Sequence, residues 1–438
     1  MPATSIAENI SPGLLKVMER AKDPAFVFLS LAHLIDEAAL TRAFHRIRKD
    51  AAVGVDGITK EQYKQDLQSN IRDLHERMRT MRWRHQPIRR VHIPKENGQT
   101  RPIGISCIED KIVQDALREI LVAIYEPSFR ECSYGFRPGR GAHDALRALN
   151  RVLYPGKVTW ILEIDIVSFF DSVDRKMLQE MLQERVVDGA LKRLIGKCLH
   201  VGILDGEDYS EPDGGTVQGS SLSPVLGNVY LHHVLDLWFE RDVLPRLDGD
   251  AHLIRYADDA VFTFEREDDA KRVVRVLAKR FERFGLKLHP EKTRLLPYKR
   301  PDFGTKGKGP ATFDFLGFTH HWRRARSGYW TPGAKTRTTR LRRFIVAVSD
   351  WCRSHRHEPV EDQHVALTRR IVGHFNYFGV NGNVSALRHV RRACEGVWHK
   401  WLNRRSQRAR KSWAHFNGMM QVFPLPIAKV YVPLWASP

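Results

Sequence analysis

The chain has 438 residues, 42% of them hydrophobic, so it can bury large cores and holds two to four units at roughly 100–200 residues per domain. Its 71 Lys and Arg against 51 Asp and Glu give a net charge of +20, which argues against an acid-solubilised disordered chain and for a polyanionic partner, nucleic acid first. The longest apolar stretch, 25–35, is broken by Ser30 and His33 and falls short of the ~20 residues that span a membrane, so no membrane partner is expected.

A helical extension is expected over 1–75. Beyond it, 88–93 and 100–105 read as strands around Lys95-Glu96-Asn97-Gly98, and Asn-Gly is a strong hairpin signal. Apolar residues at 113, 117, 120, 121 and 124 predict a helix over 110–125, stopped at Pro127. A buried strand is predicted at 160–166 and a helix at 171–185. Residues 253–264 read as two short strands with a polar tip, and 268–284 as a helix closed by Gly285. The Gly-, Lys- and Pro-rich stretch 299–310 reads as a linker, and the chain from about Lys335 as mainly helical. The front is therefore α+β, with helices around a mostly antiparallel sheet.

Charge divides the chain. From His321 onward there are 22 Lys and Arg against 5 Asp and Glu, a net +17, whereas the first 320 residues carry only +3. Seven of the ten Trp share that tail. A basic, aromatic-rich unit suits phosphates and stacked bases. Trp398 and Trp401 are expected in its core, and Arg404, Arg405, Arg408 and Arg410 on a nucleic-acid face. The scattered cysteines (Cys107, Cys132, Cys198, Cys352, Cys394) form no CxxC pair. Together with a start that has no charged segment and apolar run, they point to the cytoplasm.

The polar tip at 256–259 is Tyr256-Ala257-Asp258-Asp259, two adjacent acids inside an apolar run. Such burial is costly without a counter-charge. The strand ending Glu163-Ile164-Asp165-Ile166 supplies a third acid in a similar setting. Three carboxylates together repel one another and stay ionised around cations, and hard oxygen ligands suit Mg²⁺. Two such ions ~3.5–4 Å apart can activate a hydroxyl and stabilise a leaving phosphate oxygen.

An ordered series of segments accompanies these acids: Arg101-Pro-Ile-Gly-Ile, Ser133-Tyr-Gly-Phe-Arg-Pro-Gly-Arg, Asp165-Ile-Val-Ser-Phe-Phe-Asp, Gln218-Gly-Ser-Ser-Leu-Ser-Pro, Tyr256-Ala-Asp-Asp, His289-Pro-Glu-Lys and Phe315-Leu-Gly-Phe. The chain from about Val55 to Phe318 resembles the reverse transcriptases encoded by bacterial group II introns. The tail, with Gly373-His-Phe-Asn-Tyr-Phe, is similar to that family's thumb and RNA-binding maturase region.

The resemblance implies a right-hand polymerase in the bacterial cytosol, with fingers and palm at 76–320 and a basic helical thumb/maturase region at 321–438. It implies two Mg²⁺ ions, with Mn²⁺ as a substitute, held by Asp165, Asp258, Asp259 and the Ile166 carbonyl. Lys292 matches a lysine that protonates pyrophosphate. Lys95 and Arg101 match triphosphate contacts, Phe170 a ring that excludes a 2′-hydroxyl, Gln218 a neighbour of the incoming nucleotide, and Gly219 a close backbone approach to it. Arg137 and Arg140 match template contacts. The implied partners are an RNA template, a DNA or RNA primer, deoxynucleoside triphosphates and an intron RNA.

The sequence departs from the family at Ser106-Cys107, where Pro-Thr is common, and at Val217, where Pro is usual. No Cys/His cluster follows the tail, so the endonuclease domain of some relatives is expected to be absent. Rival readings are a domesticated reverse transcriptase in defence or repair, a splicing chaperone with a dead polymerase, and a two-metal nuclease. The complete acid set opposes the chaperone, and Lys95, Arg101, Phe170 and Gln218 oppose the nuclease.

Overall fold

A computed structural model describes residues 10–94, 100–305, 309–325, 327–406 and 411–435. Lys95, Arg408 and Arg410 lie outside the described residues. The chain opens with four helices, α1 (Pro12–Ala21), α2 (Glu37–Arg46), α3 (Lys60–Gln65) and α4 (Leu67–Arg79). The first three start on side chains that satisfy an open helix N–H: Ser11 accepts from Leu14, Asp36 from Ala39 and Thr59 from Gln62.

Next come β1 (Ile88–Pro94) and β2 (Thr100–Ile105), then α5 (Ile108–Tyr125), whose predicted stripe of Val113, Leu117, Ile120, Leu121 and Ile124 is buried. α6 (Ala142–Leu153) leads to β3 (Trp160–Ile164). The helix predicted over 171–185 is two helices, α7 (Phe169–Ser172) and α8 (Arg175–Gln183). Asp174 breaks it, because its carboxylate accepts from the Met177 N–H and restarts the helix there. α9 (Gly189–Leu199), β4 (Ile203–Asp205), β5 (Asp208–Ser210) and α10 (Ser223–Leu231) follow, then the hairpin β6 (Ala251–Tyr256) and β7 (Asp259–Phe264). α11 (Glu267–Arg283) has acids in its first turn and arginines in its last, and Gly285 follows at φ +69°. β8 (Arg294–Pro297) completes this part.

Six strands were not anticipated: the short β4, β5 and β8, and the three strands β9 (Phe313–Phe315), β10 (Phe318–Arg324) and β11 (Trp330–Thr336). β10 alternates buried and half-buried residues as a strand should, but arginines and histidines hide the pattern. Pro332 and Gly333 further disguise β11, which tolerates the proline at the edge of its sheet. His320 and His321, between which the composition changes, are consecutive residues inside β10. The tail is α12 (Thr338–Ser354), α13 (Val360–Phe378), α14 (Val384–Leu402) and α15 (Trp413–Val422). Among the described residues no helix is long and apolar enough to cross a membrane.

The strands form sheets ordered β2-β1-β4-β5, β6-β7-β3-β8 and β11-β10-β9. The β6-β7-β3-β8 sheet is antiparallel throughout and apolar on both faces. Leu162, Ile164, Phe262 and Phe264 face one core with α5, α10 and α11, while Ile161, Ile254 and Val261 face a second core with α6 and the tail helices. The second core therefore joins the charge-balanced front to the basic tail. Trp398 is wholly buried in it and donates to Gln363, while Trp401 is half-buried and donates to Ser349.

A core shared in this way should melt as one body. Phe375→Ala, at a fully buried site on α13, is expected to cost about 3–5 kcal/mol and to lower a single transition seen by both near- and far-ultraviolet circular dichroism. Two separated transitions would show independent units instead.

Candidate active site

Strand register brings two of the predicted acids together. β3 and β7 pair with Ile164 opposite Ala260. Continued one step, the register sets Asp165 opposite Asp259, on the face shared with Glu163 and the second core. Asp258 sits on the two-residue turn between β6 and β7. That turn begins with Ala257 at φ +57°, a backbone state that favours glycine and costs alanine about 1–3 kcal/mol. The loop at 133–140 packs directly on it. A Cβ added to Gly135 would lie 2.4 Å from the Ala257 nitrogen, so only glycine lets the two backbones meet.

Burial pushes the Asp259 carboxyl up to about 7, with the Asp258 charge adding to the effect and a Leu316 backbone N–H opposing it. Burial also raises Asp258, with the nearby Asp165 charge adding, against its own backbone N–H and the charges of Arg101 and Arg255. Lys292 Nζ sits 2.7 Å from Asp165 Oδ2. The His289 N–H donates to the Asp165 carbonyl at 2.8 Å, and Ile166 bridges Leu288, so the 287–289 segment lies along the end of β3 and carries Lys292 to the acid. With Asp165 on Lys292 and Asp258 turned to its own backbone, no three Asp, Glu, His or Cys side chains among the described residues form a ready metal cage. The donor set is nonetheless all hard oxygen, and its charges oppose one another in partial burial. A divalent cation relieves that opposition, so the residues fit one.

The other predicted residues divide. Arg101 is exposed on β2 and its charge reaches Asp258. Phe170 is half-buried, its ring 5.2 Å from Phe169, and its carbonyl accepts from the Thr216 N–H at 2.6 Å. The Gln218 carbonyl accepts from the Gly104 N–H at 2.7 Å. A cleft of about 350 Å³ lies beside it, lined by Arg90, Gly104, Asp171, Arg175 and Gln218 but by none of the three acids. Gly219, at φ +119°, makes a close approach within the protein itself: a Cβ there would lie 2.3 Å from the Gly104 carbonyl oxygen. The close approach it permits is to β2, so a ligand is not required to explain it.

Arg137 calls for a correction. Only 3% of its side chain is exposed, all three of its nitrogens bond the Glu126 carboxylate or the Arg130, Ser133 and Glu126 carbonyls, and its guanidinium lies over Phe129. It braces its own loop and has no donor to offer a template. Arg140 is more open, paired with the exposed Glu131 at 2.7 Å over the Tyr134 ring. Arg404 is exposed beside Trp401, and Arg405 donates to the Glu358 carbonyl, neither in contact with the acids.

Two groups at the site were given no role by sequence reasoning. Glu163, 6% exposed, holds Arg294 at 2.6 Å and accepts from the Asp314 N–H, tying β9 to β3. Its position two residues before Asp165, on the same strand face, could have flagged it. The Leu316–Gly317 turn, at φ +50° and +77°, faces Asp259 and is held by the Tyr377 hydroxyl, which donates to the Leu316 carbonyl at 2.9 Å.

The family model described as reverse transcriptase (RNA-dependent DNA polymerase) matches residues 93–320. The group II intron-encoded protein LtrA of Lactococcus lactis subsp. cremoris is 33% identical over 267 residues, which cover 58% of this chain and 43% of that protein. Protein YkfC of Escherichia coli K12 is 32% identical over 228 residues, covering 50% of this chain and 60% of that protein. An uncharacterized 91 kDa protein in the cob intron of Schizosaccharomyces pombe is 43% identical over 148 residues, covering 34% of this chain and 18% of that protein. The chain thus spans less than two thirds of each of these relatives.

The contact between Gly135 and Ala257 makes a prediction about stability. Gly135→Ala is expected to destabilise the fold by about 1–3 kcal/mol, as overpacking does, and to lower the urea midpoint. A midpoint equal to that of the unmodified chain would mean the turn has room to move.

Proposed function

The chain belongs to the reverse transcriptase (RNA-dependent DNA polymerase) family, and on that premise we propose that it adds deoxynucleotides to a primer 3′ end on an RNA template and binds an intron RNA through its basic tail. The observation that carries the reading is that Asp165 and Asp259 flank the paired Ile164 and Ala260 beside Asp258, with Lys292 on Asp165 and the charge of Arg101 reaching Asp258. In this reading the β2-β1-β4-β5 sheet is the fingers, the β6-β7-β3-β8 sheet the palm and α12–α14 the thumb. The unit limits then fall at about 75 and, because β10 runs through 320, after β11 rather than within it.

Asp165, Asp258 and Asp259 would hold two Mg²⁺ ions. When bound, these supply Lewis acidity to the attacking hydroxyl and to the leaving phosphate oxygen. The chain's own work is positioning and charge. Arg101 draws the triphosphate toward Asp258. Lys292, already on Asp165, holds at Nζ the proton that a leaving pyrophosphate needs. The Phe170 ring lies under the sugar and leaves no space for a 2′-hydroxyl, and its packing on Phe169 keeps it there. Gln218 flanks the nucleotide from the segment bonded to β2. In the tail, Arg404 has the exposure that a phosphate contact requires, and on the 133–140 loop the partly exposed Arg140 would have to trade Glu131 for a phosphate.

Primer extension on an RNA template tests this. Asp165→Asn and Asp258→Asn each remove a ligand and relieve repulsion, so the fold should survive while extension falls at least a thousandfold. Near-normal extension by either folded variant would refute the assignment. Phe170→Ala is expected to raise ribonucleotide incorporation relative to deoxynucleotide at least tenfold in single-nucleotide kinetics. An unchanged ratio would leave Phe170 a packing residue only. The tail reading predicts that structured intron RNA outcompetes a simple RNA/DNA hybrid at equal salt, with affinity falling steeply as salt rises. Equal affinity for the two ligands would leave a polymerase without a dedicated RNA.

A further inference from the structure

Arg255 stands immediately before Tyr256 on β6 and has no exposed surface. Its Nε and Nη2 grip the Asp236 carboxylate at 2.8 and 2.6 Å. Nη1 donates to Asn228 Oδ1 at 3.1 Å and to the Ala257 carbonyl at 3.0 Å, and Nη2 also reaches Ser133 Oγ at 2.8 Å. One guanidinium therefore ties α10, the 133–140 loop and the acid-bearing turn together. The loop is strapped along β6 as well, since the Arg255 N–H donates to the Cys132 carbonyl and the Tyr134 N–H to the Arg255 carbonyl. Asn228 Nδ2 donates at 2.7 Å to the carbonyl of Gly135, the residue that packs on Ala257.

The partners of Arg255 are aimed at it by an irregular helix. Asn228 and Asp236 are eight residues apart, which at 3.6 residues per turn would set them about 80° apart around an α-helix. The helix widens to a π-turn over His232–Asp236, and the extra residue per turn swings Asp236 back toward the stripe of Asn228. Stability alone does not account for the arrangement, because a buried ion pair is commonly replaced by apolar residues at no loss. What an apolar side chain cannot do is donate to the Ala257 carbonyl.

We propose that Arg255 is a positioning residue for the acids: by holding the Ala257 carbonyl while bracing the loop that covers it, the side chain keeps Ala257 in its left-handed backbone state and fixes the direction in which Asp258 and Asp259 leave the turn. The inference rests on the polymerase reading of that site. It assigns Asp236, Asn228 and Ser133 the task of orienting Arg255.

The test is Arg255→Lys, which keeps a positive charge against Asp236 and loses the fork that reaches Ala257. Mn²⁺ binding to the full chain, followed by electron paramagnetic resonance of the free ion, is expected to weaken at least tenfold. The Mg²⁺ concentration for half-maximal primer extension should rise by a similar factor, with primer–template affinity unchanged. Ala257→Gly in the same background is expected to bring both values back to within threefold of the unmodified chain, because glycine occupies that backbone state without being held. Unchanged Mn²⁺ binding in folded Arg255→Lys, or no recovery with glycine, overturns the proposal. Should Arg255→Lys fail to fold, Asn228→Ala leaves the pair with Asp236 intact and is expected to weaken Mn²⁺ binding about threefold; no change there also overturns it. If the unmodified chain does not extend primers at all, the polymerase reading fails, and the Mn²⁺ comparison still decides whether Arg255 places the acids.

Discussion

A sheet that is apolar on both faces imposes the constraint on which this molecule is built. β3 and β7 have no wet side on which to carry a charge, so an acid within them is costly unless it falls at a strand end or meets a partner. The chain uses both solutions. Asp165, Asp258 and Asp259 sit where the strands stop, and Glu163, one step deeper, is held by Arg294 and the Asp314 N–H. The two faces then divide the labour. One seals the sheet against α5 and α11, and the other receives the third sheet and the tail. Asp165 and Asp259 share the second face, so the basic tail is packed around the edge of the site and shares its core.

Cations around the acids differ in permanence. Arg255 is locked, with its donors committed to four residues besides its own strand bonds. Lys292 and Arg101 are solvent-accessible and bonded weakly enough to exchange. That gradation suits a site in which some charges define geometry and others answer to whatever binds. The correction at Arg137 follows the same logic. A guanidinium whose donors all point at Glu126 and backbone carbonyls belongs to the locked class, whatever motif it occupies.

Much of this was legible in the sequence where period and chemistry agreed. The stripe of α5, the glycine stop after α11 and the β6–β7 hairpin each follow from local spacing, and the acids were visible because charge inside an apolar run is rare. Legibility failed where a residue's role depends on a distant partner. Arg255 looks like an ordinary strand arginine until Asn228 arrives from α10 and Asp236 from the π-turn that follows it. Gly219 reads as a ligand-side glycine until Gly104 is seen against it. β10 and β11 were missed because β10 carries histidine on both faces and arginine at its end, and β11 buries proline and glycine beside its tryptophan, which blurs the alternation that marks a strand. The tail's charge was read correctly, but composition could not say that its first strands are shared with the front.

The Gly104–Gly219 contact limits how the molecule can move. The two backbones touch with no side chain between them, and the Gly104 N–H is bonded to the Gln218 carbonyl. There is no slack at that junction for sliding or tilting, since packed backbone shifts only by discrete rearrangement. The β1–β2 hairpin and the 216–220 segment must therefore travel as a single plate. Any closure over a bound nucleotide has to hinge outside this junction, and a substitution that pries the two glycines apart would uncouple the plate before it touched the acids.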